Sequence, residues 1–254
     1  MKRYLFALGI IWMSISGLSA QYRTFDAYSL GASYGFFKSD FGERYDWNTN
    51  IANNAFNFNA KLYFNLYKYH WQISNHFRFF VDLDFSYGNL KHRGHYAMKS
   101  SETAKRLRAM YAKPLLVGLG LGTEFWLQDL TYFSFNRLYG IYRFSPYLGV
   151  SVLGLYYKPN VQSSLGNIND PAIQPYILHQ RFVGKIYNSG GITPVVNMSV
   201  GLSYQITAFT HLFLENKFTW FPTDKVDGLD VNDNADKYSD WLYAPVVGVE
   251  IILQ

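Results

Sequence analysis

The sequence predicts an all-β fold, a transmembrane antiparallel up-and-down β-barrel of about eight strands with an N-terminal signal peptide. Three observations carry that prediction. Two-residue alternation, the period of a strand with two unlike faces, recurs eight times along the chain. In nearly every such segment one face is large and apolar while the other mixes Gly, Ser, Asn and charge. A soluble barrel places its bulky residues inside, whereas here the small and polar face suits a narrow lumen and the bulky face suits lipid. The connections also alternate, with long polar segments at 38–52, 89–112, 158–193 and 222–240, and shorter ones at 68–74, 128–142 and 207–210. Long loops outside and short turns on the periplasmic side are what a transmembrane barrel shows, and an even strand count leaves both termini in the periplasm.

The elements follow in order. Residues 1–20 read as a signal peptide and 21–254 as one barrel domain. Lys2 and Arg3 form a basic start, Tyr4 to Trp12 an apolar stretch too short to span a bilayer, and small residues lead to a cut after Ala20. In the first strand Tyr28, Leu30, Ala32, Tyr34 and Phe36 alternate with Ser and Gly. The second alternates through Phe56, Phe58, Ala60, Leu62, Phe64 and Leu66, and the third through Phe77, Phe79, Val81, Leu83, Phe85 and Tyr87. Leu115 to Phe125, Tyr147 to Val152, Val196 to Tyr204, Leu212 to Trp220 and Val247 to Leu253 complete the eight. Aromatic residues at strand ends (Tyr67, Tyr69, Trp71, Trp126, Tyr142, Trp220, Trp241, Tyr243) supply interfacial girdles. The C-terminus departs from pattern, closing on Leu253 and Gln254 where such barrels often end on an aromatic residue.

Composition agrees and excludes several functions. Aromatic residues make up 19% of the 254 and charged residues 16%, too polar for a helical membrane protein and too sparsely charged for an ordinary soluble one. No cysteine is present, which removes disulfides, thiolate metal sites and a cysteine nucleophile. Without Lys2 and Arg3 the chain keeps 21 basic against 18 acidic residues, unclustered, so no nucleic-acid partner is expected.

Strand parity sends Lys61, Arg78, Asp82, Asp84, Glu124, Glu215, Lys217 and Glu250 inward. Charges in so narrow a lumen must pair, either as a structural network or as a proton or ion path. His92 and His95 have a spacing possible for metal ligands, yet no further His or Cys joins them, so they read as a solvated loop. No Ser–His arrangement of an outer-rim hydrolase is visible, with His211 near the periplasmic end. No enzyme activity, cofactor or metal is expected. Ser101 to Ala112 has helical composition, with Ser100 or Ser101 as cap. The last outer loop is acidic at Asp227, Asp230, Asp233 and Asp236 without the spacing of a Ca²⁺ loop.

Several stretches resemble an uncharacterised flavobacterial outer-membrane barrel family: FKSDFGERYDWNTN (37–50), AKRLRAM (104–110), RFSPYLGVSVLGLYYKPNVQSSLGNINDP (143–171), KVDGLD (225–230) and SDWLYAPVVGVEIIL (239–253). More coarsely, SPYLGV (145–150) and TDKVDGL (223–229) resemble PorG-like barrels of Bacteroidota type IX secretion. That likeness implies a structural or interaction role in secretion or gliding, with outer-membrane lipid and a periplasmic lipoprotein as partners. The second short connection is long and aromatic for a periplasmic turn, which makes Leu130, Tyr132, Phe133, Phe135, Leu138 and Tyr139 the expected contact. The alternatives are a cell-surface binding barrel using loops 89–112 and 158–193, and a narrow pore or lipid enzyme.

Overall fold

Eight strands pair edge to edge until the first meets the last. The computed structural model describes residues 26–43, 46–65, 75–130, 143–230 and 240–253. Within them β1 (Ala27–Lys38), β2 (Asn54–Asn65) and β3 (Phe77–Lys91) are followed by β5 (Leu115–Trp126), β6 (Phe144–Lys158), β8 (Gly191–Gln205), β9 (Thr210–Trp220) and β10 (Trp241–Ile252). Neighbours are antiparallel throughout. Pairing of β1 with β10, from Ala27 opposite Ile252 to Lys38 opposite Trp241, closes the barrel and leaves it no edge strand. These strands are 11 to 15 residues long, more than the roughly 9–11 a tilted strand needs to cross a bilayer.

The outer face explains why closure alone is not the whole architecture. One residue from each strand, taken in order (Leu30, Phe58, Leu83, Leu121, Val150, Met198, Leu214 and Val247), stands exposed by between 39% and 65%. A belt of large apolar side chains around the full circumference would be an unpaired hydrophobic surface in water and is matched only by lipid. No described helix is long and apolar enough to cross a membrane, so the crossing belongs to the strands.

The interior is filled. Inward glycines are not empty lumen but seats for aromatic rings from neighbouring strands. A Cβ on Gly122 would lie 2.3 Å from the Phe80 ring, one on Gly201 2.1 Å from the Tyr147 ring, and one on Gly248 2.4 Å from the Phe213 ring. At the short-turn end Trp126 stacks on Tyr147 with centroids 4.8 Å apart, and Leu130 completes that cluster. The middle is polar. Towards the long-loop end the inward face turns apolar, with Leu116, Leu153, Leu155, Val195 and Leu242 buried. The sequence expectation of a small, polar inner face therefore holds for the middle only.

Beyond that rim the long connections fold. α1 (Trp47–Ile51), α2 (His95–Met98), α3 (Glu102–Ala109) and α4 (Gln174–Ile177) are joined by two short strands, β4 (Met110–Ala112) and β7 (Val161–Ser163). β4 pairs with the tip of β3, and β7 pairs with β4, so a small sheet extends the barrel wall upward. The expected helix over 101–112 exists but is shorter. Ser101 caps it by accepting from the Ala104 N–H, and its last three residues leave the helix to become β4.

Candidate functional site

Two constellations stand out. The first is the lumen, where parity aims the charged residues of β2, β3, β5, β9 and β10 at one axis. Three tiers follow from the short-turn end upward. Arg78 pairs with Glu250 at 2.7 Å, and its guanidinium lies 3.9 Å from the centre of the Tyr63 ring. Above it Lys61 bridges Glu124 at 3.1 Å and Glu215 at 2.7 Å. Tyr63 and Tyr147 donate to those same carboxylates, at 3.1 and 3.0 Å. The Trp126 indole donates to the second oxygen of Glu124 at 3.2 Å. In the third tier Lys217 holds Asp84 at 2.5 Å and Asp82 at 3.7 Å. Asn59, Ser151 and Asn197 supply further hydrogen bonds to the two aspartates.

Every one of those eight charges thus has an opposite charge within 4 Å, and seven of them are buried. Within each tier the charges are met by partners on other strands. A gap of about 20 Å³ between Asn57, Asp84, Lys217 and Leu242 is the size of one water. Above it lie the buried apolar rim residues Leu116, Leu153, Leu155 and Val195.

The second constellation is the outer cap, where all four long connections interlock. Asp227, fully buried, accepts from the backbone N–H of Asp40 and of Leu229, tying the first connection to the last. Gly228 beside it has φ +93°, and a Cβ there would sit 2.3 Å from Val161, so both conformation and space select glycine. Between the third and fourth connections, the Tyr187 N–H donates to the Gly228 carbonyl and the Asp230 N–H to that of Lys185. Glu43 accepts from the Tyr96 N–H at 3.0 Å, and Arg106 donates to the Pro175 carbonyl at 2.9 Å. Beneath these ties lies a core of Phe41, Leu90, Met110, Ile168, Leu178, Phe182 and Leu229, continuous with the apolar rim of the barrel. The SSLGNINDP stretch owes its shape to local turns. Asn167 and Asp170 accept from backbone N–H groups two residues on, which presents Ile168 to that core.

A cavity of about 300 Å³ opens on the cap, walled by Asp40, Glu43, His92, Tyr96, Arg181 and Phe182. His92 is not the solvated loop residue its sequence context suggests. Its ring stacks on Phe41 at 4.7 Å and packs against Phe182 at 5.4 Å. Burial, with the nearby positive charge of His179 and Arg181, pushes its pKa down to about 3, so the imidazole is neutral. His95, by contrast, is exposed at the start of α2. Among the described residues no three metal-ligating side chains converge. Leu130 is spent on the short-turn cluster, while Tyr132, Phe133, Phe135, Leu138 and Tyr139 lie outside the described residues, as do Tyr67, Tyr69, Trp71 and Tyr142.

Closure, an apolar belt and a filled polar interior define a small transmembrane β-barrel. Among solved structures the chain is similar to Neisserial surface protein A, at 11% identity over 89% of this chain and 96% of that one, with a TM-score of 0.45. It is also similar to a major outer membrane protein from Thermus thermophilus, at 9% identity over 89% and 99% with a TM-score of 0.45. Ail of Yersinia pestis, in complex with a heparin analogue, is similar at 11% identity over 90% and 99%, with a TM-score of 0.40. No family model and no curated protein matches the sequence.

Proposed function

We propose that this protein is a non-enzymatic outer-membrane barrel that displays a binding head at the cell surface. The observation that carries this reading is the cap, four long connections folded over one shared core, with an open cavity walled by the first three, on a barrel whose interior holds paired charges. Connections this long are usually either functional or disordered, and a folded head on a charge-filled barrel serves recognition better than transport. The test compares the full chain in lipid nanodiscs with a variant whose segment 159–190 is replaced by a short turn. Both are screened against arrays of glycans, peptides and lipopolysaccharide. A ligand held by the full chain and lost by the variant supports the reading; a full chain that holds nothing overturns it.

A second reading makes the barrel an accessory of type IX secretion or gliding. It rests on the resemblance carried by SPYLGV and TDKVDGL and on the aromatic composition of the 128–142 connection. Recovery of ring or lipoprotein components at stoichiometric yield in a mild-detergent pull-down would favour it; recovery of the barrel alone would remove it.

A further inference from the structure

We propose that Lys91, Lys113 and Lys158, on the outward face of the long-loop rim, bind the phosphate groups of an outer-leaflet lipid headgroup. The site needs only the barrel in its membrane and is independent of what the cap binds.

Register brings the three lysines together from distant parts of the sequence. β3 meets β4 and β5 in one continuous register, with Lys91 opposite Tyr111 and Tyr87 opposite Leu115. Lys113 lies between those two pairs. On its other side its N–H donates to the Asn160 carbonyl at 3.1 Å, and Leu115, two residues on, pairs with Lys158. Paired residues share a face, and so do residues two apart on one strand. The three lysines therefore leave neighbouring strands on the face of exposed Tyr87, Val117 and Tyr156, which is the lipid-facing one. Lys113 is a diagonal neighbour of the other two, a relation that sets backbones about 7–8 Å apart.

Their height matches a headgroup. On β3 every outward residue from Phe77 to Tyr87 is apolar or aromatic. Those ten steps of about 3.3 Å, at the usual 35–45° tilt, cover about 25 Å, the height of a barrel's apolar band. β5 repeats the run from Leu115 to Phe125, interrupted by Thr123 alone. Lys113 and Lys158 are the first outward residues above the band on their strands, and Lys91 is the second on its own.

The protein supplies no counter-charge. No outward position of β3, β5 or β6 is a carboxylate, and among the described residues none of the three lysines forms an ion pair. The sector across the barrel differs. There Phe36, Trp220, Trp241 and Tyr243 form the outer ends of β1, β9 and β10, and Lys38 lies over the Trp241 ring at 5.8 Å. Neutral aromatic rings suit the interface in general, whereas three neighbouring ammonium groups repel one another until an anion joins them. An anion from solution would answer the charge alone. A phosphorylated lipid answers the charge and covers the apolar band directly beneath it on the same face.

Native mass spectrometry of the full chain in detergent tests this, with diphosphoryl lipid A, lipid A stripped of both phosphates, and inorganic phosphate as a competitor. Retained diphosphoryl lipid A is expected, held at least about tenfold more weakly by Lys91→Gln/Lys113→Gln/Lys158→Gln and restored when the same three positions are arginine. The stripped lipid should lose as much. A charge-matched cap variant, Lys99→Gln/Lys105→Gln/Lys185→Gln, should bind as the wild type does. Unchanged heat-modified mobility shows that the variants are folded. Lys113→Gln alone, with an expected loss of about fivefold, carries the test if the triple variant does not assemble. Equal binding of the stripped lipid, unchanged affinity in the rim variants, or an equal loss in the cap variant overturns the assignment. Displacement of the lipid by inorganic phosphate overturns it too, in favour of a free-phosphate site.

Discussion

At Lys61 one ammonium serves two carboxylates inside a barrel that sits in lipid. Removing it by Lys61→Met leaves Glu124 and Glu215 facing each other without a cation, with only tyrosine and tryptophan donors left. Loss of one partner from such a buried cluster costs about 3–5 kcal/mol, and urea unfolding in micelles should show a drop of that order. A loss under about 1 kcal/mol would mean that water already reaches the lumen. His92 makes a different prediction. Its folded pKa lies near 3, below the ordinary histidine value, so the folded cap binds fewer protons than the unfolded one. Stability is then full above about pH 6.5 and is lost as the pH falls towards 3. Limited proteolysis of the cap across that window should show increasing cleavage in the wild type and a weaker response in His92→Phe. The sequence carried these two sites unequally. Two-residue parity placed the eight charges on one face, and the structure pairs that same set. Nothing local to His92 says that Phe41 and Phe182, from two other connections, enclose it.

At the scale of elements, alternation makes a strand readable because lipid and lumen impose opposite chemistry on successive residues. All eight barrel strands show it, and β3, β6, β8 and β10 run further than their alternation suggested. β4 and β7 are three residues each, too short to show a period. Their strand character comes from pairing with each other and with the tip of β3. The cap therefore stands or falls by its long-range ties. Gly228→Ala forces a side chain into a left-handed conformation and against Val161, a strain of about 1–3 kcal/mol. Limited proteolysis should then cut the cap at lower protease concentration, while the heat-modified band of the barrel is unchanged. Equal loss of both would show cap and barrel to be one cooperative unit.

The whole molecule is a barrel filled in three layers: an aromatic plug at the short-turn end, paired charges in the middle, and an apolar rim continuous with the cap. Planar-bilayer recordings of the purified chain should accordingly be flat at moderate voltage, and regular conductance steps would refute the filled axis. The absence of native cysteine makes the arrangement directly measurable. Single-cysteine variants are made at Met98 in the cap (Met98→Cys), at Leu121 in the belt (Leu121→Cys) and at Ile206 in a short turn (Ile206→Cys), all exposed positions. A membrane-impermeant maleimide is then applied to intact cells. Labelling of Met98→Cys alone is expected, with Ile206→Cys labelled only after the cells are broken and Leu121→Cys resistant in both. Labelling of Ile206→Cys in intact cells with Met98→Cys protected, or ready labelling of Leu121→Cys, would contradict it.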